Sequence, residues 1–130
     1  MRLGTDIISI ERIRQAVAKQ PRFAEKILSF AELAQYEQYA PTRQIEFLAG
    51  RFCAKEAYVK ALQTGIGQIK FTDISILNTA KGVPFLEKAP LCDQVHVSIS
   101  HCQEYATATV LMEWPDTQIN ARLEQIGVTI

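Results

Sequence analysis

Thr42-Arg43-Gln44-Ile45-Glu46-Phe47-Leu48-Ala49-Gly50-Arg51-Phe52-Cys53-Ala54-Lys55-Glu56-Ala57-Tyr58-Val59-Lys60-Ala61-Leu62 is the longest stretch of the chain that keeps one periodicity. Ile45, Leu48, Phe52, Val59 and Leu62 share one face at helical intervals, which predicts a helix of about twenty residues closed by Gly65 and Gly67. Upstream, the isoleucine-rich run from Leu3 to Ile10 is interrupted by Asp6 and passes into Ile10, Ile13 and Val17 at helical spacing, so a strand leads into a helix. Pro21 breaks that pattern, and Phe23, Ile27, Phe30 and Leu33 then predict one or two short helices before Pro41.

Downstream, Phe71 to Asn78, Phe85-Leu86, Val95 to Ser100 and Tyr105 to Met112 have the alternation and β-branched content of strands, with Lys81-Gly82-Val83-Pro84 as a turn. The segment after Pro115 has weak periodicity and receives no assigned element. Helices precede most of the strands, and there are no repeats or linkers. The expected fold is therefore α+β in one domain, residues 1–130, with a mostly antiparallel sheet packed against the long central helix and shorter N-terminal helices.

The chain has 130 residues, 48% of them apolar and 22% charged, an ordinary globular balance that excludes a disordered or fibrous chain. Fourteen basic residues match fourteen acidic ones, so no global positive field exists to hold nucleic acid or an anionic membrane. The first thirty residues nevertheless carry six basic residues against three acidic ones, which makes any charge recognition local. No apolar run approaches a membrane span or the core of a signal peptide, and a cytoplasmic protein is expected. Cys53, Cys92 and Cys102 are odd in number and lack metal-knuckle spacing, so they read as reduced thiols.

Asp6 stands among isoleucines in a strand, and a half-buried carboxylate needs a cation, a donor or a proton. A helix cap or an arginine partner would satisfy it equally well. Lys55 falls on the stripe of Leu48, Phe52 and Val59, with Glu56 at its edge and Lys60 one turn on. The plain reading is a Glu56–Lys60 pair with Lys55 snorkelling past the core. The chemical reading needs Asp6 to meet Glu56: two carboxylates would suit Mg²⁺, which takes few protein ligands and borrows phosphate oxygens, and Lys60 would face the same phosphates. Thr64-Gly65-Ile66-Gly67 fits either a phosphate cradle or a helix cap. His96, Ser98 and Ser100 share one face of a strand that ends at His101, but adjacent strand residues point apart, which disfavours a Ser–His nucleophile. There is no Walker, GxGxxG or GxSxG pattern.

Three segments, in order and spacing, together resemble the holo-acyl-carrier-protein synthase family of 4′-phosphopantetheinyl transferases. They are Gly4-Thr5-Asp6-Ile7-Ile8-Ser9-Ile10-Glu11-Arg12-Ile13, then Phe47 to Ala57 with its Arg51-Phe52-Cys53-Ala54-Lys55-Glu56-Ala57 core running on through Lys60 to Gly67, then Val97-Ser98-Ile99-Ser100-His101. The resemblance implies transfer of phosphopantetheine from coenzyme A to a serine of apo acyl carrier protein, in support of fatty acid biosynthesis. It implies Mg²⁺ held by Asp6 and Glu56, and Lys60 near the pyrophosphate, these three being the expected catalytic residues. It further implies coenzyme A contacts from Arg51, Lys60, Gly65, His101 and the turn of Lys81, Gly82 and Pro84. Arg12, Arg14 and Arg22, with Lys19 and Lys26 beyond, would dock an acidic carrier protein, and a homotrimer with sites between subunits is implied. Cys53 stands where such sequences commonly have a small residue such as alanine. Two other classes remain open on residues alone: a non-catalytic carrier-protein binding module, which needs neither carboxylate, and a metal-dependent phosphohydrolase, which needs no carrier protein.

Overall fold

Alternation between Arg2 and Ser9 sends Arg2, Gly4, Asp6 and Ile8 inward and Leu3, Thr5 and Ile7 outward, forming strand β1 (Arg2–Ser9). The computed structural model describes residues 1–65 and 67–129; Ile66, part of the glycine stretch singled out above, and Ile130 lie outside the described residues. The Ser9 hydroxyl accepts the Arg12 amide and starts α1 (Ile10–Lys19), as expected of a strand feeding a helix. Two short helices follow, α2 (Phe23–Ile27) and α3 (Phe30–Tyr36), the latter opened by a reciprocal capping box between Ser29 and Glu32. Because α3 is a separate helix, Phe30 leaves the face shared by Phe23 and Ile27 and is 92% exposed, contrary to the expected spacing.

Pro41 occupies the first turn of α4 (Pro41–Leu62), where its missing N–H costs nothing. The expected single apolar stripe is an underestimate, since α4 is buried almost all round from Phe47 to Leu62. Beyond Phe47 only Phe52, Glu56 and Lys60, spaced by four, escape full burial. The helix is closed by Gln63 in the left-handed region at φ 66°, not by the glycines that follow it. Residues Phe71–Asp73, expected to begin a strand, make a 3-10 turn instead.

Strands β2 (Ser75–Asn78) and β3 (Pro84–Lys88) form an antiparallel hairpin across the Lys81-Gly82-Val83 turn, where Gly82 has φ 81°. Strands β4 (Val95–His101) and β5 (Tyr105–Met112) complete an antiparallel sheet of order β1-β5-β4 that packs against α4. The unassigned tail is a helix, α5 (Asp116–Gln125), which adds Ile119 and Leu123 to the core. Its anchor is the buried Arg2, whose guanidinium donates to the Leu62 carbonyl at 2.9 Å, Asp116 at 2.8 Å and Asn120 at 3.1 Å. Among the described residues no helix is long and apolar enough to cross a membrane.

Lys55 does not snorkel. It and Glu32 are both fully buried and pair at 2.5 Å, while Lys55 Nζ also donates to the Ile27 carbonyl at 2.7 Å. Glu32 in turn accepts the amides of Ser29 and Ile76, so the pair joins α4, α3 and β2. Burial holds the Lys55 ammonium below its ordinary pKa, and Glu32 opposes that shift.

Candidate active site

The open stripe of α4 faces the inward side of β1, because α4 lies across the sheet and β1 is its edge strand. Gly4 permits that contact: a Cβ there would stand 1.9 Å from the Ala57 carbonyl oxygen and 2.8 Å from the Ala61 amide. Two residues further on, Asp6 reaches the helix. Its Oδ1 accepts Lys60 Nζ at 3.0 Å, and its Oδ2 lies 3.6 Å from the Cys53 thiol. Lys60 therefore pairs with Asp6, not with Glu56 one turn away, and it also donates to the Thr5 carbonyl at 3.1 Å.

Asp6 and Glu56 line one groove of about 560 Å³, together with Ile8, Arg12, Phe23, Phe52 and Tyr105. Burial pushes the Glu56 carboxyl up and the Asp6 charge pushes it further, with Lys60 opposing. Burial, helped by Asp6, raises the Cys53 thiol to about 12, which leaves it protonated. Among the described residues no protein donor reaches the Glu56 carboxylate, and no three ligating side chains cluster as a protein-only metal cage would. Two carboxylates lining one groove, with an exposed lysine resting on one of them, fit a hard cation that keeps open positions for water or phosphate.

Of the arginines expected to dock a partner, Arg12 lines this groove, and among the described residues no carboxylate lies within ion-pair reach of it. Arg14 pairs with Glu11 on its own helix, and Arg22 pairs with Glu25 at 3.1 Å. Gly65 follows the C-terminal end of α4, beyond Lys60.

The other expected coenzyme residues gather elsewhere. Arg51, Gly82, Pro84 and His101 line a second, smaller cleft of about 140 Å³ with Arg43, Glu46 and Asn78, while Lys81 is exposed on the adjoining turn. His101 Nδ1 lies 3.8 Å from Glu46 Oε2. Arg51 is committed to the fold, donating to the Ile76 carbonyl at 2.9 Å and to Asn78 Oδ1 at 2.7 Å, with its guanidinium 4.0 Å above the Phe47 ring. Burial lowers its pKa to about 10. Arg43 was missed in the sequence; its spacing from Phe47 and Arg51, four and eight residues, is the signal that places it on this face.

The family model of the 4′-phosphopantetheinyl transferase superfamily matches residues 2–110. The chain belongs to that superfamily. A holo-[acyl-carrier-protein] synthase of Anoxybacillus flavithermus is 46% identical over 112 residues, covering 85% of this chain and 93% of that one. Among solved structures, a holo-(acyl-carrier-protein) synthase from Bacillus anthracis in complex with CoA (3′,5′-ADP) is 42% identical with a TM-score of 0.74, covering 84% of this chain and 92% of that one. The holo-[acyl-carrier-protein] synthase of Neisseria meningitidis is 34% identical with a TM-score of 0.77, covering 87% of this chain and 98% of that one.

This member of the superfamily divides its expected ligand-binding residues between two sides of one helix. Gly50 in the second cleft and Phe52 in the first point about 200° apart around α4. Asp6 and Ile99 both face Ala108 in register, from the β1 and β4 edges, so the clefts are separated by two strand spacings, about 10 Å.

Proposed function

We propose that this chain is a holo-acyl-carrier-protein synthase, a single 130-residue catalytic domain that moves 4′-phosphopantetheine from coenzyme A to a serine of apo acyl carrier protein. The observation that carries the reading is the Phe52-Glu56-Lys60 stripe, the open side of an otherwise buried half-helix, set against Asp6. Asp6 and Glu56 would hold Mg²⁺, which when bound would supply positive charge against the pyrophosphate of the substrate. Lys60, 54% exposed in its side chain and resting on Asp6, swings to the phosphates and neutralises the departing bisphosphate. Arg12 in the groove lining, with Arg14 exposed on α1 and Arg22 exposed just before α2, attracts the acidic carrier and delivers its serine beside Asp6.

The working form in this reading is a cytoplasmic homotrimer. Leu3 and Ile7, each 64% exposed, stand with Tyr105 and Leu111 on the outward face of β1 and β5, an apolar patch that a head-to-tail ring would cover. Such a ring brings the β1-side groove of one subunit towards the β4-side cleft of the next, so that His101, Gly82 and Pro84 complete the coenzyme A site begun by Asp6, Glu56 and Lys60. Free Cys53, Cys92 and Cys102 are in keeping with a reducing compartment.

Intact-protein mass spectrometry of apo acyl carrier protein, incubated with this protein, coenzyme A and Mg²⁺, tests the activity. A gain of about 340 Da on the carrier, abolished by EDTA, is the expected result. No gain from a folded preparation overturns the transferase reading, and a gain that survives EDTA overturns the metal. Sedimentation showing a fully active monomer overturns the shared site.

A further inference from the structure

Cys53 sits between the groove-facing Phe52 and the core, fully buried, yet its thiol is aimed at polar atoms: Asp6 Oδ2 at 3.6 Å and the Ala106 carbonyl at 3.5 Å. The other carboxylate oxygen, Oδ1, is held by Lys60. Thr107 Oγ1 donates at 2.8 Å to the Asp6 backbone carbonyl and leaves the side chain alone. Among the described residues the Asp6 carboxylate therefore rests on two donors, one long and exposed, the other short and immobile. The terminal torsion of an aspartate is soft, so its oxygens point wherever their donors hold them.

We infer that Cys53 is a positioning residue for the metal site: its S–H donates to Asp6 Oδ2 and keeps the carboxylate aimed into the groove when Lys60 departs, leaving Oδ1 to the cation. The inference rests on the reading of Asp6 and Glu56 as metal ligands. A thiol suits the task because it is a weak, neutral donor that orients a carboxylate without cancelling its charge. The side chain is also small, and it fits between α4 and the buried Ala106 of β5.

The test compares Cys53→Ala and Cys53→Val, which lose the donor with a smaller and a larger side chain, against Cys53→Ser, which keeps one. Mn²⁺ affinity of the full chain in the presence of coenzyme A is read from the free Mn²⁺ electron paramagnetic resonance signal, and the Mg²⁺ concentration giving half-maximal transfer is measured in parallel. The expected result is a loss of about 10-fold in Mn²⁺ affinity for the alanine and valine variants, with serine within about 3-fold of the parent. Alanine and valine variants that bind Mn²⁺ as tightly as the parent overturn the inference, as does a serine variant as weak as the alanine one. A parent protein that binds no Mn²⁺ overturns the metal-ligand reading itself, whereas tight binding by the parent that is lost in Asp6→Ala leaves that reading standing and puts only Cys53 at issue.

Discussion

Gly4 lies directly against Ala57, so close that a methyl group on Gly4 would stand 1.9 Å from the Ala57 carbonyl oxygen. Backbone meets backbone at this point, and no side chain can rotate away to make room. Gly4→Ala must push β1 off α4, at a cost near the top of the overpacking range, about 3 kcal/mol. Urea unfolding should show this as a lowered midpoint, and because Asp6 is carried on the same strand, transfer should fall in the fraction that remains folded.

Lys60 donates to one oxygen of Asp6 at 3.0 Å. In the proposed mechanism, Lys60→Gln removes both the cation that neutralises the leaving group and the one that competes for Asp6. Transfer at saturating coenzyme A should drop about 100-fold. Mn²⁺ binding measured without coenzyme A should tighten, and a weaker affinity would show that the lysine assists the cation instead of standing in for it.

Glu56 gives a stability effect of opposite sign to its effect on activity. Burial, and behind it the charge on Asp6, raise its folded pKa above the unfolded value. The protonated carboxyl is therefore favoured by folding; its contribution is complete below the unfolded pKa and is lost as pH rises through the raised one. Glu56→Gln, scanned in EDTA at pH 7, should melt slightly above the parent, the gap closing below about pH 4 where the parent carboxyl is itself protonated. The same variant should lose metal-dependent transfer.

Lys55 and Glu32 form a buried pair whose partners serve other groups as well. Lys55→Met strands the Glu32 charge and should cost about 3–5 kcal/mol in urea unfolding, although Lys55 touches nothing in the groove. A loss below about 1 kcal/mol would contradict the stranding of a buried charge by this substitution.

The central helix and β1 were legible because their periodicities are local, and the oddity of Asp6 and Glu56 was legible because charge interrupts an apolar pattern. Lys55 was misread for want of its partner, Glu32, which lies 23 residues earlier on another helix. The tail was illegible for the same reason: α5 buries only Ile119 and Leu123 and is pinned by Arg2 from the opposite end of the chain. Gln63 takes the left-handed cap expected of the glycines that follow, ending the helix two residues before Gly65. The spread of the remaining site residues over two clefts depends on strand order, which no single segment encodes.

That spread makes defects separable. A chain damaged at Glu56 keeps the cleft of His101, and a chain damaged at His101 keeps the groove of Glu56. If neighbouring subunits share each site, two such inactive proteins, dissociated and reassembled together in equal amounts, regain about a quarter of the junctions intact. Two alleles, each inactive alone, would then restore activity in combination, a genetic signature of a reaction centre that no single copy of the chain possesses.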